Sequence, residues 1–207
     1  MARRHPERSS QKVSSGNQQL RIIGGEWRGR KLNFPDVEGL RPTPDRVRET
    51  LFNWLALYIP GGRCLDLFSG SGALGFEALS RGAAHVTMVD NSSVVIRQLR
   101  QNIQDLKTQS AELITDSALD WLEKRSADLE VQFDVVFIDP PFHKDLAAQC
   151  CLLLEQKGLL ANNAMIYLET EKELTDPVVP ENWELYREKT AGQVTYRLYQ
   201  RAVTRSS

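Results

Sequence analysis

A strand-forming run meets a carboxylate, two prolines and an aromatic ring in the segment VVFIDPPFHKD, residues 135–145. Proline has no N–H to donate to a central strand, so the strand should stop at Asp139 and the next residues should lie just beyond its end. There the Asp139 carboxylate and the Pro140 carbonyl can accept the two hydrogens of a planar amine. Pro141 fixes the turn, and Phe142 can stack on a base. The segment therefore predicts a site for a planar amine, such as that of a nucleobase.

Methyl transfer is the chemistry that suits such a pair of acceptors. An amine conjugated with a ring is a poor nucleophile, because its lone pair is delocalised. Two acceptors aimed at its hydrogens favour the pyramidal nitrogen that can attack a methyl sulfonium, and this needs placement rather than a shifted pKa. The structural alternative is a strand-ending turn in which Asp139 only caps the helix after His143. We assign His143 no role, since an imidazole after a turn is more often solvated or capping.

A second motif, LDLFSGSGALG at residues 65–75, follows an apolar strand and opens a helix. Its glycines, Gly70, Gly72 and Gly75, form the G-x-G-x-x-G pattern of a nucleotide-binding turn. Asp90 ends the next strand 20 residues after Gly70, where an acid that binds ribose hydroxyls belongs. Strand, loop, helix and acid thus occur in the order that predicts a nucleotide or nucleoside site.

The acid before this loop helps to select the ligand. A pyrophosphate needs backbone N–H groups and a helix N-terminus without a carboxylate nearby. Asp66 lies four residues before Gly70, where it would repel a phosphate but would suit a ligand with an ammonium and a sulfonium. S-adenosylmethionine has both cations and no phosphate, so the sequence favours this methyl donor over NAD. Phe68, in the same loop, is a further candidate for contact with the donor.

Asp116 and Ser117 lie at the end of the third strand-like run of this region, AELITD. At that position they could recognise the adenine of the donor. The alternative for Asp116 is equally open, because it could instead be the N-cap of the helix that contains SALDWL.

Strand-like and helix-compatible segments alternate from Arg63 onward. Short, nearly all-apolar strands of this kind are typical of a parallel sheet buried on both faces. The last three runs differ, because Ala191-Gly192 marks a tight turn between the final two. We therefore expect an α/β doubly wound domain whose mostly parallel sheet is closed by an antiparallel pair. The strand-like runs are RCLDLF, HVTMVD, AELITD, FDVVFID, AMIYLET, WELYREK and QVTYRLYQ.

Four segments follow from these patterns. Residues 1–18 are polar and are expected to be a disordered basic tail. LRIIGGEWRGRKL predicts a hairpin within an extension at 19–40. The main domain would span 41–200, and a short tail would follow at 201–207.

The main domain should begin with a helix in RPTPDRVRETLFNWLALYIPGG. Thr43 can cap this helix and Pro44 suits its first position. Pro60 and the two glycines after it should end the helix.

Composition indicates a soluble protein of a reducing compartment. With 207 residues and 41% hydrophobic content, the chain can form one main domain with a full core. Cys64, Cys150 and Cys151 have no CxxC spacing, so we expect neither disulfides nor a metal site. No stretch approaches the roughly 20 apolar residues of a membrane span, and the N-terminus lacks the apolar segment of a signal peptide. We expect a cytoplasmic monomer.

Positive charge is concentrated at the N-terminus. Residues 1–31 hold eight Lys and Arg against two Glu, whereas the whole chain has a net charge of −1. Trp27 lies between Gly-rich turns and is followed by Arg28, Arg30 and Lys31, an arrangement that suits phosphate contact with base stacking. We expect this segment to bind RNA; the alternative is a solvated charged tail.

Three segments together are similar to a known family. LDLFSGSGALGFEALSRGA, FIDPPF and LRPTPDRVRETLFNWL resemble the bacterial 16S rRNA guanine-N2 methyltransferases of the RsmD type, and the resemblance extends from about Leu20 to Tyr199. The first two motifs are shared by many amino-methyltransferases, whereas the third is more particular to this family. The resemblance implies a class I methyltransferase fold, S-adenosylmethionine as donor, and a guanine of 16S rRNA as acceptor, in a small-subunit particle or an assembly intermediate.

The resemblance also implies site residues. The acceptor site would comprise residues 139–142. Arg41, Thr43 and Asp45 belong to a signature near the active site, without individual roles. The donor site would be lined by Asp66, Gly70, Gly72, Asp90 and Asp116.

Three other functions compete with this one. Another amino-methyltransferase, acting on DNA adenine N6 or on glutamine, would use the same Asp-Pro-Pro-aromatic chemistry, although the short chain offers no large target-recognition domain. Asp66 and the missing substrate domain disfavour an NAD-dependent oxidoreductase. A non-catalytic RNA-binding module is disfavoured because every expected catalytic position is filled.

Overall fold

The structure is a computed structural model and describes residues 18–37, 39–125, 131–141 and 146–202. The expected tails at 1–18 and 201–207 lie almost wholly outside these ranges, as do Phe142 and His143. The division of the chain into four segments therefore stays a prediction.

Strands and helices alternate through most of the described chain. The elements are β1 (Gln18–Arg21), β2 (Lys31–Phe34), α1 (Asp45–Trp54), β3 (Arg63–Asp66), α2 (Ala73–Ser80), β4 (His85–Asp90), α3 (Ser93–Leu106), β5 (Ala111–Thr115), α4 (Ala118–Glu123), β6 (Phe133–Ile138), α5 (Leu146–Gln156), β7 (Leu160–Glu171), β8 (Trp183–Ala191) and β9 (Val194–Arg201). Strands β1 and β2 form the predicted antiparallel hairpin.

The main sheet has the strand order β5-β4-β3-β6-β7-β9-β8. Strands β3 to β7 pair in parallel, whereas β9 runs antiparallel to both β7 and β8. This confirms the expected α/β doubly wound fold with an antiparallel end. The chain reverses direction across the sheet between β3 and β6, so ligands are expected at the carboxyl ends of these strands.

The sheet is covered on both sides. On one side, which we call the hairpin face, apolar residues of α1, α2, α3 and the β1–β2 hairpin pack on the sheet. On the opposite face, the covering helices are α4 and α5. Because side chains alternate along a strand, every second residue of β3, β4 and β6 belongs to the hairpin face.

The first helix differs from the prediction at both ends. It ends at Trp54, well before Pro60, and the chain continues in hydrogen-bonded turns that bury Leu55 and Ile59. Its N-cap is Pro44, which makes no side-chain cap, so the assignments of Thr43 as cap and Pro44 as first helical residue are wrong. The local capping rule fails here because the Thr43 hydroxyl bonds to another part of the fold.

The three cysteines are free and buried. Burial raises the pKa of Cys64 and of Cys150 to about 12, so both stay as thiols near neutral pH. They pack in the core and are unsuited to act as nucleophiles. Within the described ranges, no helix has the length and apolar character needed to cross a membrane.

Candidate active site

Acidic residues meet at the carboxyl edge of the sheet. Asp66 ends β3, Asp90 ends β4, and Asp139 follows directly after β6. Each lies two residues beyond a core residue of the hairpin face, namely Cys64, Met88 and Phe137. Strand alternation therefore places all three carboxylates on the same side of the sheet, at the point where the chain reverses direction.

The glycine loop between β3 and α2 has the backbone that its sequence predicts. Gly70 and Gly72 have φ angles of 47° and 77°, which a residue with a Cβ rarely adopts. A Cβ on Gly72 would also lie 2.5 Å from the Phe76 ring. Leu40 covers the loop from outside, 3.8 Å from the position of a Cβ on Gly70. Phe68, beside the loop, is half-buried.

Asp66 is 2% exposed and lies against the first turn of α2. Its Oδ2 accepts a hydrogen bond from the Gly75 N–H at 3.1 Å. Burial raises the pKa of Asp66 to about 7, and the nearby Asp90 charge adds to this, while backbone hydrogen bonds from Gly75 and Phe68 lower it. A buried acid that is only half ionised at neutral pH is ready to pair with a cationic ligand.

Asp90 holds the loop and the next helix together. Its Oδ2 accepts from the Gly70 N–H at 2.9 Å, and its Oδ1 accepts from the Ser92 N–H at 2.8 Å. Each carboxylate oxygen has a second lone pair, so Asp90 can still accept from the hydroxyls of a ribose.

The structure at the end of β5 decides whether Asp116 is the N-cap of the helix that follows. Ser117, not Asp116, is the N-cap of α4, and its side chain accepts from the Asp120 N–H at 3.1 Å. Asp116 instead accepts from Lys124 Nζ at 2.6 Å, and this bond holds the pKa of Asp116 below its usual value. Its backbone N–H donates to the Asp90 carbonyl, so it lies beside the proposed ribose-binding residue.

Asp139 has a partner that the sequence did not indicate. Its Oδ2 accepts from the Thr43 hydroxyl at 3.4 Å. Burial raises the pKa of Asp139 well above its usual value, and the charges of Glu169 and Asp66 add to this, while the Thr43 bond lowers it. The signature that contains Thr43 thus contacts the Asp-Pro-Pro turn. Pro140 is buried and Pro141 is exposed.

Glu169 is a second buried acid that sequence reasoning missed. It is 7% exposed near the carboxyl end of β7 and accepts from the Tyr167 hydroxyl at 2.6 Å. Burial raises its pKa, while the bond from Tyr167 lowers it. A glutamate inside the apolar run AMIYLET was the available signal, because buried charges are rare without a partner or a function.

A buried ion pair behind the site was also missed. The Arg48 guanidinium, 1% exposed, donates to the carbonyls of Thr43 and Arg21 at 3.1 and 3.0 Å, and to Asp45 at 2.6 Å. It also lies 3.5 Å from the fully buried Glu77 carboxylate. This network connects the hairpin, the Thr43 segment, α1 and α2.

Glu77 continues the network toward the hairpin. It accepts from the backbone N–H groups of Ile23 and Gly24 at 2.9 and 2.8 Å, and from Arg81 at 2.7 Å. A glutamate in the apolar run GALGFEALS was the signal that could have been noticed.

The predicted RNA-binding cations lie on the outside of the hairpin region. Arg28, Arg30 and Lys31 are exposed, and so is Arg41. Arg30 also donates to the Asp105 carbonyl at 2.9 Å, which fastens the hairpin to the end of α3. Trp27 is only partly available for stacking, because it packs against the core of the hairpin face.

A cavity of about 390 Å³ lies between the hairpin and the start of α1. It is lined by Arg21 and Lys31 on the hairpin side and by Thr43 and Asp45 on the helix side. Thr43 therefore borders this basic-edged cavity and also contacts Asp139.

Comparisons with known proteins match this chain to one family and to relatives that share one name. The family model described as "Conserved hypothetical protein 95" matches residues 20–200. "Ribosomal RNA small subunit methyltransferase D" of Escherichia coli K12 is 53% identical over 187 residues, which cover 90% of this chain and 92% of the relative. The protein of the same name from Haemophilus influenzae is 54% identical over 184 residues, with 88% and 94% covered.

A solved structure also matches over nearly the whole described fold. The "Putative methyltransferase yhhF from Escherichia coli" superimposes with a TM-score of 0.83 at 50% identity. The match covers 89% of this chain and 99% of that one.

Proposed function

The chain belongs to the Conserved hypothetical protein 95 family, with the ribosomal RNA small subunit methyltransferase D proteins as relatives, and we propose that it transfers a methyl group from S-adenosylmethionine to the N2 amine of a guanine in 16S rRNA. The family resemblance predicted from the three motifs is thus confirmed. The observation that carries the proposed chemistry is the position of Asp139, directly after β6 and on the same side of the sheet as Asp66.

The donor site fits a sulfonium nucleoside better than a dinucleotide. The loop at 65–75 contains no Lys or Arg that could pair with a pyrophosphate, while Asp66 lies buried against the start of α2. We assign the donor's ammonium to Asp66 and its ribose hydroxyls to Asp90. Asp116 and Ser117, which lie beside Asp90, would contact the adenine. The rest of the donor site would be lined by Phe68, Gly70 and Gly72.

The acceptor site uses the turn after β6. The Asp139 carboxylate and the Pro140 carbonyl would accept the two N2 hydrogens, which concentrates the nitrogen lone pair for attack on the methyl carbon. When bound, S-adenosylmethionine supplies that methyl as an electrophile and leaves as a neutral thioether. The proton then released from nitrogen goes to water, so no strong base is needed. Pro141 would fix the turn, and Phe142, outside the described residues, would stack on the guanine.

One experiment separates this function from its rivals. The purified protein would be incubated with labelled donor and, in parallel, with 16S rRNA or small subunits from cells that lack the protein, with DNA, and with a protein extract. Label in the rRNA alone supports the proposal. Label only in DNA or protein would favour another amino-methyltransferase, and binding of NAD without binding of the donor would favour an oxidoreductase.

Donor affinity should depend on pH through Asp66. Its pKa of about 7 means that the carboxylate is mostly protonated at pH 6. The donor's amino group stays charged in this range, because an α-amino group titrates at about 7.7–8.0. Affinity should therefore rise about fivefold from pH 6 to pH 7, following the ionised fraction of Asp66. Calorimetric titration would measure this rise, and Asp66→Asn should abolish it. If the donor affinity of the wild type did not change with pH, Asp66 would not be the partner of the donor's ammonium.

RNA affinity should depend on the exposed cations of the hairpin. Arg28→Glu with Lys31→Glu should weaken RNA binding and lower the slope of log affinity against log salt by about one per lost phosphate contact. Arg30 is left in place because it also fastens the hairpin to Asp105. Donor binding should be unaffected. Filter binding over a salt series is the measurement.

Lys189→Glu is the matched control for this pair, since Lys189 is exposed on β8 near the far edge of the sheet. The control variant should retain wild-type RNA affinity. An unchanged salt slope in the hairpin variant would show that the phosphates contact another surface.

A further inference from the structure

Glu169 lies beside Asp139 because of the strand register. Ile138 of β6 pairs with Leu168 of β7 in parallel, so the next residues, Asp139 just past the end of β6 and Glu169 still within β7, are neighbours. Two residues earlier, Phe137 and Tyr167 both pack in the core of the hairpin face, with ring centroids 6.4 Å apart. Alternation therefore directs both carboxylates to the same side of the sheet, next to the proposed acceptor site.

The Glu169 carboxylate is held in place but retains acceptor capacity. The hydroxyl of the fully buried Tyr167 donates to its Oε2 at 2.6 Å. Within the described residues this is its hydrogen-bond partner, and a carboxylate can accept about four hydrogen bonds. A buried acid with unused acceptors is costly unless a ligand supplies donors. The Glu169 charge also raises the pKa of Asp139, which is consistent with two nearby carboxylates.

Resting on the proposed function, we propose that Glu169 selects guanine by accepting its N1–H while Asp139 accepts an N2 hydrogen. Guanine presents N1–H and the N2 amine as adjacent donors on one edge. Adenine and cytosine present a ring nitrogen lone pair beside their amines instead. A second carboxylate next to Asp139 matches the guanine edge and repels the lone pair of the other two bases. The Asp-Pro-Pro turn would serve any planar amine, and Glu169 would restrict it to guanine.

The test uses a base that keeps the amine and changes the groups beside it. In 2-aminopurine the N2 amine remains, but N1 carries a lone pair and C6 carries a hydrogen in place of the carbonyl oxygen, so the Glu169 variants described next assign the preference to N1. A synthetic RNA would carry either guanine or 2-aminopurine at the methylated position, and single-turnover transfer would be measured on both. Wild type should prefer guanine at least about tenfold, since a site built to accept a hydrogen bond rejects an analogue that lacks the donor.

Glu169→Gln should narrow this preference at least about fivefold, because its amide can donate to the N1 lone pair of 2-aminopurine. The variant should fold, since Gln can still accept from Tyr167. Burial raises the pKa of Glu169, so the ionised carboxylate makes the folded state less stable as pH rises through that value. The melting temperature of Glu169→Gln at pH 8 should therefore not fall below that of wild type.

Two further variants make the result decisive. Glu184→Gln, an exposed change on β8, should leave the preference unchanged. Tyr167→Phe releases the Glu169 carboxylate and should narrow the preference in the same direction by a smaller factor.

If Glu169→Gln slowed methyl transfer to both RNAs equally and left the preference for guanine intact, the inference would be overturned and the proposed function would stand. Absence of transfer to any guanine by the wild type would overturn the proposed function itself. The two failures are therefore distinguishable.

Discussion

Asp139→Ala is expected to slow methyl transfer at least about a hundredfold while donor binding stays nearly normal. In the proposed mechanism the Asp139 carboxylate accepts a hydrogen bond from the amine, and this bond strengthens as the nitrogen becomes pyramidal. Loss of one such preorganised group typically costs 10²–10³ in rate, about 2.7–4 kcal/mol. Asp139→Asn should retain more activity, because the amide oxygen still accepts a hydrogen bond without the charge.

Folding should tolerate this change. Asp139 lies past the end of β6, and among the described residues its hydrogen-bond partner is Thr43. Its raised pKa shows that the folded state disfavours the ionised form, so removal of the carboxylate should not lower stability at neutral pH. The measurement is single-turnover transfer at saturating donor and RNA, with thermal melting alongside. A well-folded Asp139→Ala protein with near-normal transfer would mean that the turn is only scaffold.

Arg48→Ala is expected to cause the largest loss of stability, about 3–5 kcal/mol. The change removes the donors to the Thr43 and Arg21 carbonyls and leaves the buried Glu77 without its partner from α1. Because Glu77 holds the backbone at Ile23 and Gly24, the hairpin should loosen together with the Thr43 segment.

Arg46→Ala is the matched control for Arg48, since it removes an exposed arginine from the same helix. A surface change of this kind should alter stability by no more than about 0.5 kcal/mol. Urea unfolding of both variants gives the comparison. Equal midpoints for the two would mean that the buried network does not hold the hairpin to the domain.

The sequence was sufficient to predict those features of the fold and site whose pattern lies within a short stretch of residues. Alternating strands and helices predict the parallel sheet, and an acid at the end of a strand next to a glycine loop predicts its carboxyl edge. Asp66, Asp90 and Asp139 could be placed on that edge because the end of a strand and the loop that follows it can be recognised from consecutive residues. Proline after Asp139 also marked the end of β6 to within one residue, since the strand ends at Ile138.

The features that sequence reasoning missed depend on contacts between residues that are far apart in the sequence. Thr43 looks like a helix cap, but its hydroxyl bonds to Asp139, 96 residues away. Arg48 and Glu77 come from different helices, and nothing in either local pattern couples them. Glu169 becomes Asp139's neighbour only through the register of β6 with β7. The roles of the site residues themselves stay predictions until ligands are measured.

The most direct test of the proposed function identifies the methylated atom. 16S rRNA from cells that lack the protein would be treated with purified protein and donor, then digested and analysed by mass spectrometry of the nucleosides and fragments. We expect a single new N2-methylguanosine at one position, and none when Asp139→Ala is used. A methyl group on adenine N6 or on any other atom, or rRNA left unmodified by an enzyme that binds the donor, would contradict it.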